Sequence, residues 1–333
     1  MIPDPSSSEI NSAATDRSLS IVIVSWNTRE VLQRCLASLR QHCESLDIEI
    51  IVVDNDSKDG TVEMLRAGFP SAQIIVNGDN LGFARACNQG MRVAKGRQIL
   101  LLNSDTYVVD DSISRSVRFL ESRPDIAMLG CQIRTPNGRV QHTANRALGI
   151  FRGLFEDLWL YRLVGETRWK RILLGGYWDN DSEMEVDWIA GVFMLLRRQV
   201  FLDSGGFCED FFMYGEDSEW CMRLRKAGKR IFFTPLGVVY HIGSVSSDRQ
   251  WTTKERLRLC YLGDIRAYSK VNGPLLGTVY ATTRLLGSAI RALVYGVAWV
   301  CFQKSYFAEQ CRHFSWRVQF YLEGWLTGAA FRR

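Results

Sequence analysis

The chain has 333 residues, of which 47% are hydrophobic and 23% are charged. This length and composition bury a large core, which excludes a largely disordered protein and predicts one large domain with an appendage, or two domains. The nine cysteines are an odd number, and no two form a C-x-x-C pair. They indicate buried thiols in a reducing compartment rather than a disulfide scaffold.

Charge is unevenly distributed along the chain. Residues 249–333 contain 13 Lys and Arg against 4 Asp and Glu, although the net charge of the whole chain is only +5. A basic segment suits either nucleic acid or an anionic membrane surface. The first residues are polar and Ser-rich without an apolar core, so residues 1–18 are predicted to be a flexible terminus, not a signal peptide. We therefore expect a cytoplasmic protein.

Apolar runs that end in polar residues alternate with helical patterns in the first third of the chain. Residues 20–25, 48–53, 73–76 and 98–102 are predicted strands, with apolar residues at helical spacing between them. This repeat implies right-handed crossovers and a Rossmann-like α/β fold with a mostly parallel central sheet flanked by helices. The polar residues that follow the strands are expected to converge on one edge.

The strand at residues 98–102 ends in Asn103, Ser104 and Asp105. An unbroken apolar run suits a strand that is buried on both faces, and its polar end places one carboxylate in the ligand-binding crevice. Mg²⁺ and Mn²⁺ prefer carboxylate oxygens and usually retain phosphate ligands. Asp105 is therefore a candidate ligand for a divalent cation, and the alternative is an Asx turn that only ends the strand.

The same edge offers groups that suit a nucleoside diphosphate. Asp54 can accept from a pyrimidine N–H, and Asn27 and Asn80 can hold base or ribose. Arg85 can neutralise phosphate. The alternatives are a turn cap for Asp54 and a solvated helix face for Arg85. Neither G-x-G-x-x-G nor G-x-x-x-x-G-K-[ST] follows the first strand, so a dinucleotide fold and a P-loop have no support.

The second half of the chain contains candidate catalytic and metal-binding residues. Residues 187–197 are predicted to form one strand preceded by an exposed aromatic residue, and Glu216 and Asp217 precede a helical pattern. A carboxylate beside an aromatic rim can serve as a general base, whereas paired carboxylates at a helix start can equally reflect the helix dipole. His241 follows a predicted strand at residues 237–240. It can complete the metal site or bind phosphate, or it can be a packed core residue.

Seven segments taken together resemble the family 2 glycosyltransferases with the GT-A fold, and most closely their rhamnosyltransferase-like branch. They lie in order between about residue 20 and residue 243 and are IVIVSWN, VVDNDSKDG, NLGFARACNQG, LLNSDT, DWIAGVFMLLRR, FFMYGEDSEWCMRLRKAGKRI and VVYHIGS. Ordered matches over two-thirds of the chain are specific for the family and less specific for the sugar.

The resemblance implies an inverting transferase that depends on a divalent cation. Asp54 is implied to bind the base, and Asp105 to end the equivalent of the metal-binding D-x-D motif. Asp217 is implied to be the base that activates the acceptor hydroxyl. Asn103 stands where the commonest form of the motif has Asp, which leaves one firm metal carboxylate and gives His241 more weight.

The resemblance also delimits the two substrate sites. We expect Trp188, Gly191 and Glu216 to border the acceptor. The residues expected to bind the nucleotide sugar are Val24, Ser25, Asn27, Asp54, Asn55, Asn80, Arg85, Asn103 and Ser104.

The substrates follow from the branch that the chain resembles. The first candidate reaction moves one L-rhamnose from dTDP-rhamnose to a glycan on a polyprenyl diphosphate, in cell-surface polysaccharide biosynthesis. Single transfer is favoured because the Q-x-x-R-W signature of processive members is missing. Another sugar from a UDP- or GDP-sugar is the alternative. A non-catalytic sugar-nucleotide-binding module is less favoured because Asp105 and Asp217 are present. A nucleotidyltransferase is less favoured because residues 25–29 contain no glycine.

The predicted domain organisation is a GT-A domain followed by a helical tail. The GT-A domain comprises residues 19–248, with a nucleotide-binding half at 19–131 and an acceptor half at 132–248. Residues 139–186 contain a strongly aromatic segment with interleaved basic residues, which suits a lid, an acceptor-facing surface or a core helix pair. Residues 249–333 are the basic, amphipathic tail.

The apolar stretch at residues 285–302 is interrupted by Arg291. Arg284, Ser288, Arg291 and Tyr295 fall on one face of a helix, opposite apolar residues. A spanning helix would bury Arg291 in the bilayer at considerable cost, so we expect an amphipathic helix that rests on an anionic membrane at its cytoplasmic face. The nearby tryptophans favour a membrane surface over nucleic acid. The alternative is a helix that packs on the catalytic domain.

Overall fold

The computed structural model describes residues 18–145, 149–160, 180–243 and 251–327. The expected flexible N-terminus lies outside the described residues except for Ser18. Of the aromatic segment at residues 139–186, the basic stretch after residue 160 also lies outside them.

The first half alternates strands and helices as the sequence pattern predicts. Its elements are β1 (Leu19–Ser25), α1 (Arg29–His42), β2 (Ile48–Asp54), α2 (Thr61–Gly68), β3 (Gln73–Val76), α3 (Phe83–Val93) and β4 (Gln98–Asn103). β1 pairs in parallel with β2 and β4, and β2 pairs in parallel with β3. The register sets Ser25 opposite Asp54 and Val24 opposite Asn103, so the polar strand ends are level with one another.

The second half is less regular. Its elements are β5 (Thr106–Tyr107), α4 (Ser112–Ser122), β6 (Ile126–Arg134), β7 (Val140–Gln141), β8 (Ala144–Asn145), α5 (Ile150–Asp157), β9 (Met184–Val186), β10 (Trp188–Ile189), β11 (Phe193–Arg197), α6 (Arg198–Ser204), α7 (Glu216–Lys226) and β12 (Arg230–His241). β12 is much longer than the predicted strand at residues 237–240 because it starts at Arg230 and continues through an irregularity between Thr234 and Val238.

The single strand predicted at residues 187–197 is wrong, because the segment contains two strands in two different sheets. β10 pairs with β8 in a small separate sheet, whereas β11 joins the central sheet antiparallel to β4. The chain turns between them at Gly191. A Cβ at this position would lie 3.0 Å from Cε1 of Phe83, so the residue type suits the close approach.

The central sheet has the order β3-β2-β1-β4-β11-β6-β12-β5. The predicted mostly parallel character is confirmed: β11 and β5 are antiparallel to their neighbours, whereas β6 and β12 are parallel to each other. Along β1 and β2, side chains pack alternately into two separate hydrophobic clusters, with Val22 and Ile51 in one and Ile21 and Val52 in the other. Both faces of the sheet are therefore covered, which explains the unbroken apolar runs.

Three helices follow the sheet: α8 (Thr253–Asn272), α9 (Pro274–Phe302) and α10 (Ser305–Thr327). α8 begins with a capping box in which Thr252 accepts from the Glu255 N–H and Glu255 accepts from the Thr252 N–H. α8 packs against α7, and α9 packs against α5, α8 and α10. The segment predicted as a separate tail is therefore packed on the catalytic domain.

The sequence predicts that Arg284, Ser288 and Arg291 form the polar face of a helix that rests on a membrane, but in the structure this face packs on the protein, which is the alternative named above. Arg284 Nη1 lies 2.9 Å from Asp157 Oδ2, Arg291 Nε donates to the Asp157 carbonyl oxygen at 2.9 Å, and Ser288 is fully buried. The buried Asp157 at the end of α5 draws the guanidinium groups inward because an unpaired charge would be costly there. Consequently the apolar face of α9 is the one that points outward.

Candidate active site

A cleft of about 430 Å³ opens at the carboxyl ends of β1, β2 and β4. Its opposite wall is formed by the residues before and within the first turn of α7, together with part of α8. Of the residues singled out from the sequence, those that line this cleft are Val24, Asn55, Asn80, Asn103, Ser104, Asp105, Trp188, Gly191, Glu216, Asp217 and His241.

Four of the predicted nucleotide-binding residues do not line the cleft. Ser25 is fully buried and its hydroxyl lies 2.9 Å from that of Thr28. Asn27 adopts a positive φ of 53° and its Oδ1 accepts from the Lys58 N–H, so its side chain braces a neighbouring loop. Arg85 is exposed and donates to the Glu209 carbonyl oxygen, because the helical step from Phe83, which lines the cleft, turns it outward.

Asp54 is the fourth of these residues and is fully buried. Its Oδ1 accepts from the Ser57 N–H at 2.9 Å, which is the turn role considered as the alternative. Its Oδ2 has no hydrogen-bond partner among the described residues. Burial raises the pKa of Asp54, and the contacts with Ser57 oppose this shift. The carboxyl thus retains an unfilled acceptor next to Asn55, which does line the cleft.

Asp105 and His241 meet at one end of the cleft. The pairing of β12 with β5 sets His241 opposite Thr106, which brings His241 Nε2 to 3.1 Å from Asp105 Oδ1. Gln141 Nε2 donates to the His241 carbonyl oxygen, so the Gln141 Oε1 faces His241 Nδ1 at 2.8 Å. That oxygen can only accept, and Nδ1 must therefore carry a proton.

With Nδ1 protonated, the charge of the ring determines the role of Nε2. In an imidazolium, Nε2–H donates to the Asp105 carboxylate, and in a neutral imidazole Nε2 presents a lone pair beside it. Two such acceptors suit a divalent cation, and a hydrogen bond that holds the distal nitrogen is typical of metal-binding histidines. Among the described residues no group of three or more His, Cys, Asp and Glu side chains is suited to hold a metal ion. A cation at Asp105 and His241 would need further ligands from a diphosphate and water.

Glu216 and Asp217 lie at the start of α7, after Gly215 with a φ of 100°. Asp217 Oδ2 accepts from the Gly191 N–H at 3.2 Å and its Oδ1 accepts from the Ser218 N–H at 2.7 Å. The turn between β10 and β11 therefore holds the carboxylate that the sequence singles out as the base. Glu216 is buried, and its Oε2 has no hydrogen-bond partner among the described residues.

These surroundings assign different charge states to the two carboxyl groups. Burial raises the pKa of both, and the charge of Asp217 raises that of Glu216 further. Asp217 accepts hydrogen bonds from the Gly191 and Ser218 N–H groups that favour the ionised form, whereas the hydrogen bond that lowers the pKa of Glu216 comes from its own backbone N–H. At neutral pH we therefore expect the shared proton on Glu216 and the negative charge on Asp217.

Aromatic side chains form a rim around this end of the cleft. Trp188, Phe212 and Tyr214 line it, and Trp251 lies against Phe212 and Tyr214 with ring centroids 6.2 Å apart in each case. The indole N–H of Trp188 is buried and directed toward the Asp217 carboxyl, whose pKa it lowers. An aromatic surface suits a sugar, whose faces are apolar.

Sequence reasoning missed Cys260 and Asp264, which line the cleft from α8. Both were assigned to the tail. The available signal was Gly263: glycine within a helix costs about 1 kcal/mol relative to alanine and often indicates close packing. A Cβ on Gly263 would lie 2.4 Å from the Tyr214 carbonyl oxygen, so only glycine permits this contact between α8 and the start of α7.

Comparison with known proteins identifies the family of the chain. The profile of Glycosyl transferase family 2 matches residues 20–201, more than half of the chain. The chain belongs to this family. The resemblance inferred from the seven segments is confirmed, and the protein is a glycosyltransferase.

Several similar proteins are rhamnosyltransferases. The N-acetylglucosaminyl-diphospho-decaprenol L-rhamnosyltransferase of Mycobacterium tuberculosis is 29% identical over 246 residues, covering 69% of this chain and 78% of the relative. Rhamnosyltransferase WbbL of Escherichia coli K12 is 26% identical over 273 residues, covering 78% of this chain and 98% of the relative.

Solved structures confirm the GT-A fold. The mannosyltransferase PcManGT from Pyrobaculum calidifontis, in complex with GDP-Man and Mn²⁺, is 15% identical with a TM-score of 0.56, and the match covers 93% of this chain and 88% of that one. GalNAc-T7 with UDP, GalNAc and Mn²⁺ is 16% identical with a TM-score of 0.53, and the match covers 77% of this chain and 50% of that one. Both are glycosyltransferases that bind Mn²⁺ in their crystals.

Proposed function

We propose that this enzyme transfers one L-rhamnose from dTDP-rhamnose, with inversion, to a hydroxyl of a glycan carried on a polyprenyl diphosphate. The reaction would serve cell-surface polysaccharide biosynthesis. One observation carries the proposal: Asp217 and the Asp105–His241 pair line a single cleft. The names of the two rhamnosyltransferase relatives support the sugar, and the decaprenol relative supports the lipid carrier.

The donor would bind at the end of the cleft formed by the strand ends. Asn55, Asn103 and Ser104 offer amide and hydroxyl groups there, whereas Asp54 is fully buried next to Asn55 and does not line the cleft. Asp105 and His241 would hold Mg²⁺ or Mn²⁺ against the diphosphate. When bound, the cation offsets the negative charge that grows on the departing nucleoside diphosphate.

The acceptor would enter at the aromatic rim. Asp217 takes the proton of the acceptor hydroxyl as its oxygen forms a bond to the anomeric carbon. The bond from that carbon to the diphosphate oxygen breaks, and the nucleoside diphosphate leaves with the electron pair. The neutral Glu216 carries no charge that competes with Asp217 for the proton. One displacement inverts the anomeric centre.

A donor panel tests this proposal. The purified enzyme is incubated with a lipid-linked glycan and with dTDP-, UDP- or GDP-sugars in the presence of Mn²⁺, and products are identified by mass spectrometry. We expect one added deoxyhexose with dTDP-rhamnose and little product with the other donors. Preferential use of a UDP- or GDP-sugar would replace the rhamnose assignment with the alternative donor, and no transfer from any donor would refute the function.

We also propose that the enzyme rests on the inner face of the cell membrane. The support is the outward face of α9, where Leu286, Ile290, Leu293, Val297 and Val300 form an exposed apolar stripe. α9 is 29 residues long with a mean hydropathy of 1.7 in its most apolar window. Because its arginine face packs on the protein, we expect the helix to lie along the bilayer surface without crossing it.

Membrane binding is expected to depend on the stripe and not on the arginines. Changing Leu286, Leu293 and Val297 together to Gln should weaken binding to anionic liposomes at least about 10-fold, since each fully buried apolar side chain contributes roughly 1.5–3 kcal/mol. The KM for a lipid-linked acceptor should rise more than the KM for a water-soluble analogue. Liposome flotation and steady-state kinetics measure the two effects.

The matched control changes three exposed apolar residues outside the stripe, Val109, Leu202 and Leu236, to Gln. It should leave flotation and both KM values unchanged. Equal flotation of the stripe variant and the control variant, with both folded by circular dichroism, would show that α9 does not contact the membrane.

A further inference from the structure

α8 is built into the wall of the cleft. A Cβ on Gly263 would lie 2.4 Å from the Tyr214 carbonyl oxygen, and a Cβ on Gly215 would lie 2.7 Å from the Gly263 Cα. The two backbones therefore touch without intervening side chains. This contact fixes α8 against the residue that precedes the Glu216–Asp217 pair, and it brings the next residue of the helix, Asp264, to the cleft surface.

Asp264 is the carboxyl group of the cleft whose role is still unexplained. It lines the cleft, is half-buried and makes no hydrogen bond to any described residue. Burial raises its pKa to about 7, Arg284 opposes this shift, and Asp217 adds to it. Arg152 and Arg317 also lower the pKa. A partly desolvated carboxyl without a hydrogen-bond donor is unfavourable, which suits a group that acquires its donor from a ligand.

The position of Asp264 relates it to the acceptor. Asp217 is the cleft carboxylate that acts most strongly on Asp264, and Cys260 from the preceding turn of α8 lines the cleft beside it. The metal pair Asp105 and His241 belongs instead to the strand ends, where the donor would bind. Because Gly263 touches Gly215, two residues before Asp217, Asp264 lies on the same wall of the cleft as the base and can contact the molecule from which the base removes a proton.

We infer that Asp264 is an acceptor-binding residue, whose carboxylate accepts a hydrogen bond from a hydroxyl or N–H on the carbon next to the attacked hydroxyl. The inference rests on the proposed function. The acceptor substrate is then a sugar that carries a free hydroxyl or N–H beside the hydroxyl that receives the transferred sugar. The family profile ends at residue 201, so a helix outside the matched region supplies this contact. Acceptor choice is set partly by α8.

A substitution cycle with a modified acceptor tests this contact. We expect Asp264→Ala to raise the KM for the acceptor by about 10- to 100-fold, the range for a hydrogen bond to a charged group. The KM for the donor should stay unchanged. Asp264→Asn, which keeps one acceptor oxygen, should fall between Asp264→Ala and the wild type. A modified acceptor substrate that lacks the hydroxyl or N–H next to the attacked hydroxyl should bind to the wild type and to Asp264→Ala with equally low affinity.

Asp210→Asn is the matched control. Asp210 is exposed, and its Oδ2 lies 2.5 Å from Nζ of Lys270, which belongs to α8 as Asp264 does. Replacing Asp210 should change neither the KM for the donor nor the KM for the acceptor. The inference is overturned if Asp264→Ala discriminates between the two acceptors as the wild type does. It is also overturned if its loss of activity follows a lower melting temperature, because Asp264 would then only support the arginines of α9. If the wild type transfers sugar to no acceptor, the proposed function fails as well.

Discussion

Replacing Asp217 by Asn is expected to lower kcat at least about 100-fold while the affinity for the donor stays close to that of the wild type. The amide keeps the shape of the side chain but cannot take a proton from the acceptor. Asp217 is the carboxyl whose ionised form is favoured by hydrogen bonds from the Gly191 and Ser218 N–H groups. Initial rates at saturating acceptor, with donor binding measured by calorimetry, separate the two quantities.

Glu216→Gln is the control for this prediction. Glu216 is expected to be neutral already, since burial and the charge of Asp217 raise its pKa. An uncharged isostere should therefore preserve most of the activity. Greater damage from Glu216→Gln than from Asp217→Asn would reverse the assignment of the base.

Replacing Asp105 by Ala is expected to abolish transfer and to weaken the binding of a nucleoside diphosphate in Mn²⁺ at least about 10-fold, because even the loss of a supporting contact at a metal site costs about that much. Asp105 is the single firm carboxylate of the proposed metal pair, and His241 Nε2 lies 3.1 Å from it. Calorimetric titrations with and without Mn²⁺ measure the effect.

The same titrations contain their own control. In the presence of a chelator, the variant and the wild type should bind the nucleotide with equal affinity. A metal-dependent gain in affinity that survives in Asp105→Ala would show that Asp105 is not a metal ligand. Loss of affinity in the chelator as well would indicate a damaged nucleotide site.

Local sequence patterns predicted the position of those cleft residues that directly follow a strand at the edge of the sheet. Asn103, Ser104 and Asp105 follow an apolar run whose register with β1 places them at the cleft. Helical spacing likewise explains Asp217, because α7 begins where the acidic pair stands. The positions of these residues could be predicted because strand period and helix start depend on a few neighbouring residues; their roles stay predictions.

Predictions failed where distant contacts decide the outcome. The arginine stripe of α9 turned inward because Asp157, more than 120 residues earlier in the chain, is buried against it. Asp264 reached the cleft because Gly263 touches Tyr214 and Gly215. Arg85 does not line the cleft because Phe83 occupies the side of α3 that faces it. No periodicity along one segment contains information about partners so far away.

The stereochemistry of the first product tests the central claim most directly. A single displacement assisted by Asp217 predicts that the new glycosidic bond has the anomeric configuration opposite to that of the donor, with one sugar added per acceptor. Nuclear magnetic resonance of product collected at low conversion measures both the configuration and the number of sugars. A product with the configuration of the donor would contradict the account, because retention needs a second displacement that Asp217 does not provide.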